Sequence, residues 1–426
     1  MSRSAIGAIA AFCLLAPFVF PSAVTAQTQE VEEDNCRACH LVLGDERLSD
    51  PARAFPDDIH ATRGFGCVAC HGGDATDPGI AAMDPAKGFL AKPERGDVAE
   101  FCGRCHSDAE FMRRYNPSLR VDQVAEYASS VHGRRVMELG DAKAATCVSC
   151  HPAHSIRPPS DPLSSVNPLN VPATCATCHG DAEYMEPYRI ATDQLERYQL
   201  SVHWEAMSVG GDLSAPTCND CHGNHGAAPP GIAWVGNVCG QCHSVMADLF
   251  AESRHARTFA MLGMPGCATC HNNHDITRPS DELLGLEDGA VCARCHSAGD
   301  PGGQVASAMR SLIDSLSMAY HEADSILERA ENAGMEVSQA LFELNGANTA
   351  LVSARAAIHA FNVIAVKNNV EEGLEIAATA HELGRQAADR VQFRRIGLAV
   401  SVMIIVALIL GLLLKIREIE HREPQT

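Results

Sequence analysis

The stretch "TCVSCHPAHSIRPPSD", residues 146–161, sets two thiols and two imidazoles close together: Cys147, Cys150, His151 and His154. Two thiols with two residues between them, followed at once by an imidazole, can fix a haem. The thiols add to its vinyl groups and the imidazole becomes the proximal ligand of the iron. The pattern occurs nine times: Cys36, Cys39 and His40; Cys67, Cys70 and His71; Cys102, Cys105 and His106; Cys147, Cys150 and His151; Cys175, Cys178 and His179; Cys218, Cys221 and His222; Cys239, Cys242 and His243; Cys267, Cys270 and His271; Cys292, Cys295 and His296. Every cysteine except Cys13 belongs to it. Disulfides or zinc sites would use such cysteines too, but neither needs histidine at the next position. Histidine is 20 of 426 residues, so nine coincidences have a probability on the order of 10⁻¹². The reading is nine covalent c-type haems.

The second histidine then has a purpose. A haem with only a proximal histidine is open to ligands, whereas a second histidine closes it and leaves an electron carrier. The candidates recur in a repeat. His132 and His203 each precede their haem motif by 15 residues and His255 by 12. Each of those motifs continues as Cys-His-x-x-His, giving His154, His225 and His274, and each is followed by a plainer motif at Cys175, Cys239 or Cys292. A weaker fourth copy has His60 before Cys67, "CHGGD" in place of the doublet, then Cys102; Cys36 stands alone in front. His60, His132, His154, His203, His225, His255 and His274 are thus seven distal ligands for nine irons. Two more are expected from the helical segment downstream, His359 first and His321 second; His381 reads as packed and His421 lies beyond the membrane span. Bis-histidine haems lack the methionine ligand that raises potential, so low potentials are expected.

The elements that must position these groups fall into two kinds. Residues 27–300 are rich in Gly, Pro, Cys and His and show no sustained period, so they cannot bury enough apolar surface to order themselves. Aromatics are only 5% of the chain; the haems themselves must be the core. From about 303 cysteine vanishes and Ile313, Leu316, Tyr320, Ala323 and Leu327 recur at helical spacing, as do Leu344, Leu351 and Ile358. Helices are predicted over about 303–332, 336–366 and 368–392, with breaks at 332–334 and 367–369. Residues 396–414 carry no charge and are long enough to span a bilayer. Arg3, an apolar run to Phe20 and "VTA" at 24–26 read as a secretory signal. The expected organisation is a signal peptide (1–26), a nonahaem domain (27–300), a helical domain (301–392), a transmembrane anchor (393–417) and a cytoplasmic tail (418–426). The fold class is mostly irregular and α, with little secondary structure around the haems, then a bundle of long helices and one membrane helix. A net charge of −20 argues against nucleic acid as a partner.

The upstream histidines, the Cys-His-x-x-His doublets and the C-terminal helical segment resemble the multihaem c-type cytochromes, the superfamily of nitrite reductases, hydroxylamine oxidoreductases and c-554-type carriers. The resemblance spans about residues 36–392. It implies haems packed in stacked and near-perpendicular pairs as an electron wire. All nine motifs here end in histidine, where nitrite reductases carry a Cys-x-x-Cys-Lys haem, and nine matches neither five nor eight. This departure weighs against catalysis. The expectation is a bacterial electron-transfer protein on the periplasmic side of the cytoplasmic membrane, linking a quinone-linked membrane partner, such as a b-type cytochrome, to a periplasmic redox partner. The rival is a reductase or oxidase of a small nitrogen or sulfur compound with one open haem.

Overall fold

The structure, a computed structural model, describes residues 34–228 and 238–422. The expected signal peptide and the end of the tail lie outside the described residues. The chain is 66% helical, with no strand among the described residues. It divides into two compact units, Met1–Lys92 and Pro93–Thr426. The long helices share a unit with seven haem motifs because Leu284 and Cys292 pack into the core those helices build. Arg355 also binds both carboxylate oxygens of Asp281 at 2.9 and 2.7 Å.

In the first unit, short helices over Asn35–Leu41, Glu46–Ala54, Ile59–Thr62 and Cys67–His71 carry the two motifs. Asp34, Asp45 and Asp58 cap the first three through their side chains, satisfying amides that the first turn leaves free. Among the described residues there, the buried apolar ones are two alanines, Ala52 and Ala82. So little apolar surface cannot hold a fold by itself, as expected of a region built around haem.

The second unit begins in the same manner, with helices of four to nine residues such as Cys147–Cys150 and Val98–His106. It ends in three long helices, Pro301–Asn332, Ser338–Ala357 and Val363–Arg422. The first of these breaks at Asn332, as predicted, and Gly334 takes φ 79° just beyond it. Ile313, Leu316, Ala323 and Leu327 of the predicted stripe are wholly buried, and Leu344 and Leu351 nearly so. Each large side chain removed from water contributes about 1.5–3 kcal/mol. The third helix packs closely on the first at Gly373, where a Cβ would stand 2.7 Å from Leu316 Cδ2.

The second break is displaced. Residues 367–369 run helical, and the chain turns instead through a 3₁₀ turn at Ile358–Ala360 into Phe361, which is left-handed at φ 51°. The third helix then continues unbroken for 60 residues, about 90 Å at 1.5 Å per residue. Its apolar stretch has a mean hydropathy of 3.0 and packs against nothing in the chain, so this one helix is long and apolar enough to cross a membrane.

Candidate haem-binding centres

The upstream histidines sit at a corner built alike in each copy. Ser130, Ser201 and Ser253 each stand just after one helix and cap the next, accepting from the amides of Gly133, Trp204 and Ala256. All three serines are buried, and His132, His203 and His255 follow two residues later. Asp58, also buried, caps the helix that carries His60 and accepts from its Nδ1 at 2.8 Å. Three residues before each cap stands an aromatic ring: Phe55, Tyr127, Tyr198 and Phe250. Tyr127 donates to the Ala145 carbonyl at 2.8 Å and Tyr198 to that of Pro216 at 2.9 Å. Both acceptors lie two residues before the motif, so the tyrosine ties the corner to the haem-binding turn. Sequence reasoning missed these aromatics, although their constant offset was visible.

The structure brings twelve of the predicted histidines together in six pairs. His132 faces His179 with ring centroids 6.1 Å apart, His151 faces His225 at 6.3 Å, and His203 faces His243 at 6.4 Å. His222 faces His274 at 6.1 Å, His255 faces His296 at 6.0 Å, and His271 faces His359 at 6.1 Å. Every pair joins one motif histidine to one predicted distal histidine. The spacing is diagnostic. Two metal–imidazole bonds of about 2 Å, with about 1.1 Å from each ring nitrogen to its ring centre, put centroids about 6 Å apart on a linear axis. Two imidazoles alone do not make a metal site, and among the described residues no group of three or more metal-binding side chains occurs. A porphyrin supplies four further nitrogens, so the residues fit a haem.

The pairing follows a rule. The upstream histidine of a unit caps the plain motif of its own unit: His132 to His179, His203 to His243, His255 to His296. The second histidine of each doublet caps the preceding unit's doublet motif: His225 to His151, His274 to His222. A backbone bond beside each handover repeats as well, Val131 N to Ala227 O at 3.1 Å and Val202 N to Ile276 O at 2.8 Å.

The imidazoles are prepared as neutral ligands. Burial pushes His132, His151, His179, His203, His225, His255, His271 and His274 below the ordinary histidine range. The facing ring adds to this in most pairs, as His225 does for His151 and His359 for His271. Several rings are turned by a carbonyl or carboxylate: Nδ1 donates to Leu48 O from His40 at 3.1 Å, to Leu90 O from His71 at 3.0 Å, to Ala356 O from His359 at 3.0 Å and to Asp300 Oδ1 from His296 at 2.9 Å. A protonated Nδ1 leaves the Nε2 lone pair for a metal. His255 is placed by packing instead; its ring lies 3.9 Å from that of Phe361.

The remaining predicted ligands stand as follows. His106 ends the helix Val98–His106 and lies close enough to depress His151 further. His154 is half-buried with φ 70°. His60 meets Phe65 edge-on at 6.2 Å. His321 is not brought to a motif histidine. It is exposed, bonds to Ser317 O of its own helix at 2.6 Å, and shares a surface recess with Glu322, Ser325, Arg329 and His381.

The eighteen motif cysteines are free thiols, and in the second unit consecutive motifs are neighbours. Cys147 lies beside Cys102, Cys175 beside Cys218 and Cys239 beside Cys267. Between these contacts, Cys150 acts electrostatically with Cys178, Cys221 with Cys242, and Cys270 with Cys292 and Cys295. Seven motifs thus form one unbroken line in sequence order. In the first unit, Cys36 and the carboxylate of Asp34 help push the Cys67 thiol up to about 12, after burial.

A cytochrome c3 family model matches residues 212–297, and a model of cytochrome c554 and c-prime matches residues 101–180. The chain is 24% identical over 223 residues to a C-type polyheme cytochrome, OmcC, of Geobacter sulfurreducens; the match covers 45% of this chain and 26% of that protein. The chain therefore spans about a quarter of that relative's length. No solved structure matches.

Proposed function

We propose that this chain, a multihaem c-type cytochrome holding haem c covalently, passes electrons along nine haems between a quinone-linked membrane partner, such as a b-type cytochrome, and a periplasmic acceptor. When bound, haem iron supplies one-electron chemistry between its ferrous and ferric states. At the six paired sites two neutral imidazoles would hold the iron, so that its coordination need not change as the electron arrives and leaves. The observation that carries the reading is the continuous line of neighbouring motifs from Cys102 to Cys292, along which attached haems would follow one another. The long helix Val363–Arg422 anchors the wire, with the haems on the periplasmic side.

The test is an anaerobic reductive titration of the full-length protein, with intact mass measured on the same sample. The expected result is nine haems by mass, nine electrons taken up, and low-spin signals from the six paired sites. A protein with most of its haem high-spin, or one holding its cysteines as disulfides, overturns the reading.

A further inference from the structure

The start of the first long helix closes on a motif histidine. After the plain motifs of Cys102 and Cys175, an aspartate two residues past the motif histidine caps the next helix. Asp108 accepts from the amides of Glu110 and Phe111, and Asp181 from those of Glu183 and Tyr184. After Cys292 the capping aspartate, Asp300, stands four residues past His296. Its carboxylate caps Pro301–Asn332 by accepting from Gly303 N at 3.0 Å. It also accepts from Ser297 N at 2.6 Å, Ser297 Oγ at 3.1 Å and His296 Nδ1 at 2.9 Å. His40, His71 and His222 turn Nδ1 to carbonyls instead, those of Leu48, Leu90 and Ala228.

The same helix start lies against the ring. A Cβ at Gly302 would strike Cε1 and Nδ1 of His296 and stand 2.8 Å from its Nε2; a Cβ at Gly303 would strike Ser297 O. Glycine is a poor helix former, and this close approach is what requires two of them in the first turn. On the facing side, His255 Nδ1 is buried with no hydrogen-bond partner. A carboxylate therefore reaches this pair of imidazoles through His296.

We propose that Asp300 and Gly302 are positioning residues for the His296 imidazole: the carboxylate holds Nδ1 and lowers the potential of the haem carried by Cys292 and Cys295, while the glycine sets the plane of the ring. The proposal rests on the haem loading proposed above. A carboxylate acceptor makes an imidazole a more basic ligand than a neutral carbonyl does. A fixed negative charge nearby also favours ferric over ferrous iron, which carries one positive charge fewer. The bonds from Ser297 and Gly303 keep the carboxylate from turning away from the ring. An iron so biased gives its electron up more readily to the neighbouring motif, whose Cys270 interacts with Cys292.

The test is EPR-monitored potentiometry of the full-length, haem-loaded protein. The rings of His255 and His296 cross at 77°, the most of the six pairs, so the low-spin signal of largest g value reports this haem. Asparagine caps helices as well as aspartate does, so Asp300→Asn keeps the helix start and removes the charge. That signal is expected to titrate at a higher potential, by a tenfold change in its oxidised-to-reduced ratio, about 59 mV for one electron. Its g value and the other signals should stay where they are. Asp300→Ser, another uncharged cap, should give a rise in the same direction and carries the test if the asparagine variant loses haem. Asp181→Asn, the control, should leave this signal in place. Gly302→Ala keeps the carboxylate but turns the ring, so the g value of this one signal should shift. An unchanged potential without the carboxylate, an equal rise in Asp181→Asn, or an unchanged g value in Gly302→Ala overturns the proposal and leaves the electron-transfer reading standing. Absence of low-spin haem from the unmodified protein would instead overturn the electron-transfer reading.

Discussion

Replacing His359 with alanine tests the link between the helical bundle and the haem line. His359 lies on the 3₁₀ turn Ile358–Ala360, 6.1 Å from His271 with ring planes 23° apart. The variant loses one axial ligand from one haem, so one ninth of the haem should pass from low to high spin. Its local cost is the Nδ1–Ala356 hydrogen bond, about 0.5–1.5 kcal/mol. The larger effect is topological. Iron joining His271 to His359 closes a loop of roughly 90 residues, which the chain-entropy argument values at about 4–5 kcal/mol as an upper limit. The bundle core lies elsewhere, in Ile313, Leu316, Leu344 and Leu351, so the variant should fold and keep every haem. The assay is EPR with CO titration, where uptake should rise by one CO per chain over the wild type. His321→Ala is the control, and its spectra should match the wild type. Unchanged low-spin haem in His359→Ala, or a new high-spin haem in His321→Ala, would refute the assignment.

The paired rings should fall into two EPR classes. Planes are nearly parallel in His151–His225 (13°), His222–His274 (13°) and His271–His359 (23°), and more crossed in His132–His179 (54°), His203–His243 (38°) and His255–His296 (77°). Parallel imidazoles raise one iron d orbital and give rhombic spectra, while crossed ones raise two alike and give a large maximal g value; a single class would contradict the ring geometry. Phe361→Gly should relieve a left-handed backbone that costs a non-glycine residue about 1–2 kcal/mol, yet lose the ring seated on His255. The result should be a looser distal ligand and a shifted potential for the Cys292 haem, read by potentiometry. Gly373→Ala should destabilise the bundle by about 1–3 kcal/mol, measured by thermal unfolding, because its Cβ meets Leu316. Truncation before Arg394 should yield a soluble, fully haem-loaded protein; recovery in washed membranes would point to another anchor.

The candidate haem-attaching residues were legible because covalent attachment would fix their types and spacing within five residues. The helix stripe over 313–327 was legible because burial repeats at the helical period. The pairing of histidines was not, since the facing rings come from different motifs, within a unit or from successive ones, and local spacing carries no trace of it. The turn at 358–362 was also hidden. "IHAFN" holds neither glycine nor proline, and its left-handed residue is a phenylalanine held by Phe250 and His255. The break expected at 367–369 rested on two asparagines, but Asn369 bonds back to Ala365 O at 2.9 Å and stays helical.

That displaced turn explains what the helices contribute to the haem line. Along the repeats, each doublet motif histidine faces a ring from the unit that follows: His151 faces His225 and His222 faces His274. The rule leaves His271 in need of a ligand with no further doublet behind it in the sequence. A helix continuing past 357 would hold His359 in the ordinary helical screw. Ending the helix at Ala357 and turning through Phe361 instead frees one residue to face His271 and points the next helix back along the bundle. The same five residues therefore set a ring opposite His271, seat another against His255, and start the helix that runs on to the apolar span.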